Sequence, residues 1–471
     1  MYDLQEPLAA PAPQESSFGV LTFVREFGES SRKVLFSSKF NALMLFTPLA
    51  LISWQADWSD AATLIFSLLS LMPMAERIGY VTESLAEYTG EYLGGLLNAT
   101  MGNLPELIVC ITALQSDDLR LIQLSLLGAI FGCLLLVLGH ALLSGGMFFD
   151  EQTFNLKAAE PQFGILVLGG LSLLFPASLT QSDEQSKTDE INYSRGTAVV
   201  MIIEYGALLL FQMYTHNYLF AEGTSQDDDK PLDGEKERTV SAGAPSLAGF
   251  DMNDLEDRKE ELANGHENGS AYSPMTREVN TTVVSLGKSG ASDTGDDGGD
   301  DEDEEDPIPF WHAFLWLAIL AAFIAVLSDA LVEVFEEAAE ELGVPEAFIA
   351  AIVLPIANNA CEHACAVIFA SRGQVDMALG TTVGSAVQII MFVIPFTVIV
   401  AWMLDKDLTL YFQGFETSAL FSTVLMVVLS IRTGTSTWIT GFFLIGAYII
   451  IAMGFFIASD IEFSDDDDER R

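Results

Sequence analysis

Two carboxylates stand inside apolar runs of this chain, Glu106 and Glu362, and each is preceded three residues earlier by an asparagine, Asn103 and Asn359. Three residues is close to one helical turn, so amide and carboxylate share a helix face in both copies. The stretches read GGLLNATMGNLPEL (94–107) and PIANNACEHACAV (355–367), and they superpose at an offset of 256 residues. The same register, ungapped, lays Gly128 on Gly384 and so matches SLLGAIFGCLLLVLG (125–139) to TTVGSAVQIIMFVIP (381–395). Carboxylates, amide oxygens, carbonyls freed at helix breaks and water are the hard oxygen donors a calcium ion collects, six to eight at a time. A metal-free pair of buried acids repels itself and favours protonation instead. Metal or protons can neutralise such a pair, but not both together. If only the neutralised forms change sides, a divalent cation moving one way obliges protons to move the other.

The elements that must position these residues are membrane spans. The chain has 471 residues, half of them hydrophobic, yet carries Asp+Glu 66 against Lys+Arg 21, a formal net charge of −45. Its mean hydropathy of +0.35 is reconciled with that charge only if the apolar and acidic residues occupy different stretches. An acidic surface of this kind repels phosphates, which excludes nucleic acid as a partner. Apolar runs near the length needed to cross about 30 Å of hydrocarbon predict eleven spans. They fall at 39–55, 59–79, 83–114, 119–142, 162–180, 195–219, 309–331, 345–371, 376–404, 414–431 and 435–458. The fold class expected is thus an all-α integral membrane protein.

The organisation expected around these spans is a solvated N-terminal leader (1–38), a first helix (39–55), one block of spans (59–219), an acidic disordered loop (220–308), a second block (309–458) and an acidic tail (459–471). The loop ends in GDDGGDDEDEED (295–306) and holds too little apolar surface to fold. Arg25, Arg32, Lys33 and Lys39 crowd the entry to the first span, which predicts a cytosolic N-terminus. Counting on from there puts the acidic loop in the cytosol; Arg77, Lys157, Arg372 and Arg432 then fall on the cytosolic side and Arg120, Lys187, Arg195 and Lys406 on the other, a balance that decides nothing further.

The motif copies lie in the third and eighth spans. Five crossings separate them, and an odd separation inverts one copy relative to the other. Inverted repeats place their substrate near the midplane, beside broken helices. Breaks are signalled by Gly102 and Pro105 around the first acid and by Pro355 two turns before the second.

Further residues could assist. His363, next to Glu362, could relay protons or orient the acid by a hydrogen bond. Ser385 and Gln388 follow the second copy, three apart, and could face the cation or join helices; their first-copy places hold Ala129 and Gly132. Glu83, Glu87, Glu336, Glu337 and Glu340 stand at the span ends entering each site, as a cation-gathering vestibule or as ordinary solvated helix ends. The four cysteines lie in apolar runs and read as small core residues, with no disulfide framework.

At these motifs the sequence resembles the calcium/proton exchangers of the CAX type, within the calcium/cation antiporter superfamily. The family's repeats read GGLLNATFGNATELI and GNAAEHAAAV; here they stand as GGLLNATMGNLPELI (94–108) and NNACEHACAV (358–367). The resemblance implies eleven spans, one leading helix plus two inverted five-helix repeats. It implies calcium and proton exchange at Glu106 and Glu362, with Asn103 and Asn359 alongside and His363, Ser385 and Gln388 in support. It further implies calcium and protons as transported substrates, no cofactor, no enzymatic activity, a vacuolar or other acidic-organelle membrane, and a homo-oligomer as an open question. Departures stand at Pro105, Asn358, Ala129 and Cys133. A sodium-coupled exchanger and a conductive cation channel are the alternative readings.

Overall fold

The computed structural model describes residues 20–179, 184–219 and 308–469. They are helical apart from connecting turns and one two-residue antiparallel pair, in which Gln152 faces Ser436 and Thr153 faces Thr435. Among the described residues, eight helices are long and apolar enough to cross a membrane, or up to ten if each of two bent pairs counts as one span.

The first described helix, α1 (Val20–Phe36), is followed by a 3-10 turn and α2 (Phe46–Gln55), and the two segments bend by 93°. The expected solvated leader is therefore corrected over residues 20–36: Val34 is buried, and the Ser30 hydroxyl sits 3.1 Å from the imidazole of His312. Phe27 stacks on Trp316. An apolar stripe on α1 covers apolar surface at the start of a later span, which a polar leader would leave exposed.

α3 (Asp60–Met101) runs as one helix where two spans, 59–79 and 83–114, were expected. The reason is local. In the second half the corresponding AAEELG ends at Gly343 in a left-handed conformation (φ 63°), with Pro345 close behind, and α10 (Phe335–Leu342) stops there. In the first half LAEYTG ends at Gly90, no proline follows, and the helix continues. α4 (Leu104–Gln115) then begins after a break at Gly102–Asn103.

α5 (Leu119–Phe131), a π-helical turn Gly132–Val137 and α6 (Leu138–Gly145) make one continuous span, followed by α7 (Leu156–Leu179) and α8 (Glu184–Leu210). The second half contains α9 (Phe310–Glu333), α10, the broken pair Glu346–Asn358 and α13 (Ala360–Ser371), and α14 (Val375–Gln388) with its π turn Ile389–Val393 and α15 (Ile394–Met403). Within the broken pair, α11 (Glu346–Phe348) and α12 (Leu354–Asn358) flank a π turn, Ile349–Val353. α16 (Gly414–Ile431) and α17 (Trp438–Glu469) complete it. α17 carries its helix through most of the expected acidic tail, because extending an existing helix needs no new nucleus. The expected acidic loop lies outside the described residues except for Ile308.

Small residues let these helices approach. A Cβ on Gly441 would lie 2.4 Å from the carbonyl oxygen of Gly139, the backbone-on-backbone packing that lipid-embedded helices favour. Two clasps tie the halves at opposite ends of the bundle. At one end Lys406 reaches Asp117 at 2.5 Å, Arg120 pairs with buried Glu416, and Gln123 donates to the carbonyls of Thr409 and Tyr411. At the other, the β pair joins the two halves and the Asn155 amide donates to Asp376 at 2.7 Å.

Candidate ion-binding site

Each acid stands at the third position of a half-helix that starts immediately after a break. Asn103 (φ −99°, ψ 18°) precedes α4, and Glu106 lies in its first turn; Asn359 (φ −88°, ψ 16°) precedes α13, and Glu362 lies in its first turn. Pro105 is tolerated because first-turn amides have no intrahelical partner. In the second half the helix bends by 57° at Asn359. First-turn placement puts both carboxylates at the positive ends of helix dipoles, where anions are favoured.

The two half-helices run in opposite directions. α4 ends beside Asp117, which binds Lys406 at the first clasp, and Glu346, the start of the other broken helix, interacts electrostatically with Asp118 there. α13 ends at the second clasp, where the carbonyl of Ala370 lies 2.8 Å from where a Cβ on Gly145 would be.

Glu106 is buried, Glu362 is half-buried, and the two are near enough for their charges to act on one another. One oxygen of each, Oε2, is shut away from solvent without a hydrogen-bond partner. Burying an acid at span depth costs about 2.5–3.5 kcal/mol. Leaving an oxygen unpaired as well adds to that cost, so the pair is an acceptor set suited to a cation or a proton.

Asn103 and Asn359 are both buried, and their amides are held differently. Asn103 Nδ2 donates to Gln388 Oε1 at 2.6 Å, while Asn359 Nδ2 donates to the carbonyl of Ala129 at 3.3 Å and to Cys133 Sγ at 3.5 Å. Either way the amide nitrogen is engaged with the opposite half, and the oxygen is the atom of an amide that a cation takes. Ser385 lies half-buried one turn before Gln388.

His363 lies against His140, ring centroids 4.8 Å apart, and His140 Nδ1 bonds the Leu136 carbonyl. His140 was not among the expected residues; an imidazole inside an apolar span is the signal that could have found it. Cys133 was visible only as a departure from the resembled motif, yet both site carboxylates act on it electrostatically. Of the vestibule candidates, Glu336, Glu337 and Glu340 occupy the exposed face of α10, Glu87 is exposed on α3 and Glu83 is half-buried. Arg77 is fully buried in α3, paired with Glu76, hydrogen-bonded to Ser37 and set over the Tyr80 ring. The adjacent Glu76 neutralises it, which makes an interior place affordable.

The profile of sodium/calcium exchanger proteins matches residues 59–214 and 312–457, the two blocks that carry the broken helices. Vacuolar cation/proton exchanger 3 of Oryza sativa subsp. japonica is 35% identical over 454 residues, covering 96% of this chain and 93% of that protein. The chain belongs to the sodium/calcium exchanger family, in its CAX-type cation/proton exchanger branch. It is a transporter and not an enzyme. The exchanger is also 31% identical to the vacuolar calcium ion transporter of Schizosaccharomyces pombe over 429 residues, covering 90% of this chain and 86% of that one. Among solved structures, native YfkE superposes with a TM-score of 0.63 at 26% identity, covering 89% of this chain and 99% of its own. The H+/Ca2+ exchanger CAX shares the fold at 15% identity, with a TM-score of 0.58 and coverage of 92% and 93%.

Proposed function

We propose that this exchanger carries calcium across a membrane in one direction and protons in the other, at a site shared by Glu106 and Glu362. The observation that carries the reading is the pair of buried, unpartnered carboxylate oxygens supplied by two oppositely directed half-helices. Asn103 and Asn359 add amide oxygens, and Gln388 and Ser385 stand beside them in the second half. An empty, doubly charged pair at this depth is too costly to change sides, so the pair switches only when calcium or protons neutralise it. The names of the relatives, vacuolar cation/proton exchangers and a vacuolar calcium ion transporter, support both the ions and an acidic-organelle membrane. The N-terminus faces the cytosol, and the described spans divide into a leading helix and two inverted blocks.

The test is flux in proteoliposomes holding an internal acid load. Calcium uptake and proton loss should rise and fall together, and Glu106→Gln or Glu362→Gln should stop both. Uptake driven equally well by a sodium gradient would assign sodium coupling instead. Current without any proton gradient would indicate a channel.

A further inference from the structure

The elbow between α1 and α2 carries a charge pattern that the transport site does not use. Between Glu29 and Asp57 the chain has no acid, in a sequence holding 66 acidic residues, while Arg32, Lys33 and Lys39 gather in the first part of that stretch. The acids of α1 lie farther back: Glu26 is half-buried, and exposed Glu29 stands 3.9 Å from Arg25. Charge is thus segregated along the helix, with its basic end at the elbow.

Three observations set this elbow at the edge of the bilayer. Leu45, Leu49 and Ile52, all exposed, form one strip along α2 and the turn before it, the surface a span turns to lipid. α1 meets that segment at 93°, so where α2 crosses the membrane α1 lies along its surface. α1 also packs on the opening turns of α9, where Phe27 stacks on Trp316 and Ser30 meets His312. The neighbouring Trp311 is 65% exposed, as tryptophans are where they collect at headgroup depth.

The face that α1 turns away from the bundle is a single helical stripe of exposed residues, Arg25, Gly28, Glu29, Arg32 and Phe36. Phe36, 78% exposed, ends the stripe; Arg32 stands one turn before it, and exposed Lys39 opens the following 3-10 turn. A phenylalanine so placed loses its contact with water by dipping among acyl chains. The guanidinium one turn away then stands at the depth of the phosphates, which its planar fork binds through two hydrogen bonds.

We propose that the α1–α2 elbow binds the headgroup of an anionic membrane lipid, with Arg32 and Lys39 on the phosphate and Phe36 among the acyl chains. The elbow is tied to the interior, because the Ser37 hydroxyl accepts from buried Arg77 of α3. A lipid seated there steadies α1 against α3 and α9.

The test reads lipid binding and so does not depend on the antiport reading. The full chain is placed in nanodiscs of phosphatidylcholine, with or without phosphatidylserine, and hydrogen exchange is followed over residues 25–39. Phosphatidylserine should slow exchange there in the wild type, and Arg32→Gln/Lys39→Gln should lose that protection while exchange across α5 stays as it was. A base near an anionic surface contributes about fivefold to binding, so native mass spectrometry should find phosphatidylserine held about fivefold less well by Arg32→Gln alone and about 25-fold less well by the double variant. Arg432→Gln, an exposed base after α16, is the control and should change neither readout. Soluble glycerophosphoserine added to phosphatidylcholine discs should give no protection. Equal exchange in the two lipid mixtures, undiminished protection in the variants, or the same protection from the soluble headgroup would overturn the lipid site.

Discussion

The two broken helices share a skeleton and differ in what holds them. Each has an asparagine at the break, an acid in the first turn and a following span with a π turn at the same register. Around the second break, Gly128 meets the Ala351 backbone and the Asn359 side chain reaches the Ala129 carbonyl; around the first, Gln388 reaches across to Asn103. Duplication therefore supplied the same acid and amide twice, while the packing that holds them diverged.

The largest effect expected separates these layers. Glu106→Gln and Glu362→Gln should each reduce calcium-driven proton flux by more than the ~10–100-fold typical of losing an outer-shell partner. Their losses should be alike, and a strong asymmetry between them would break the equivalence of the two halves.

Next come the holders of the amides. Gln388→Ala leaves the Asn103 amide without its bridge, and calcium affinity by titration calorimetry should fall by about 10-fold or more. Cys133→Ser should be milder, because the Asn359 amide retains the Ala129 carbonyl. An equal loss in both would mean that the two amides are held alike.

The clasps offer a smaller contrast. Arg120→Met strands Glu416, which is 3% exposed, although Arg120 itself is 38% exposed and its pairing is screened. A loss of about 1–3 kcal/mol in thermal or denaturant unfolding is expected, against the ~3–5 kcal/mol of a wholly buried pair. Asp376→Asn at the opposite clasp removes an exposed contact and should cost under about 1 kcal/mol.

The smallest effect is at Glu341, whose carboxylate accepts the Ala61 amide and the Ser59 hydroxyl. These donors hold its pKa below the usual 4.5. A depressed acid stabilises the fold fully above its unfolded value, and that contribution disappears as pH falls through the lower folded value. Hydrogen exchange at residues 59–63 should therefore rise in strongly acidic buffer, and Glu341→Gln should show the faster exchange already at neutral pH.

Much of this was legible along the chain. The Asn103–Glu106 and Asn359–Glu362 pairs and most spans follow from spacing and apolar length, because a bilayer enforces helices of known length and makes a buried acid conspicuous. Where two spans merged into α3, the discriminating signal was the missing proline after Gly90. Where α1 docked, amphipathic periodicity was present inside a stretch that composition alone made look solvated. Charge counting gives Arg77 a side but no depth, and only the neighbouring Glu76 hints that it is interior.

By itself the sequence determined the duplicated site, the points at which its helices break and the donors it can offer. Those are local properties, set by helical period, by glycine and proline and by the cost of charge in hydrocarbon. Only the tertiary structure decided where His140 and Cys133 stand and that Arg77 is interior. Those placements depend on contacts between residues far apart in sequence, which are written in no single stretch of chain.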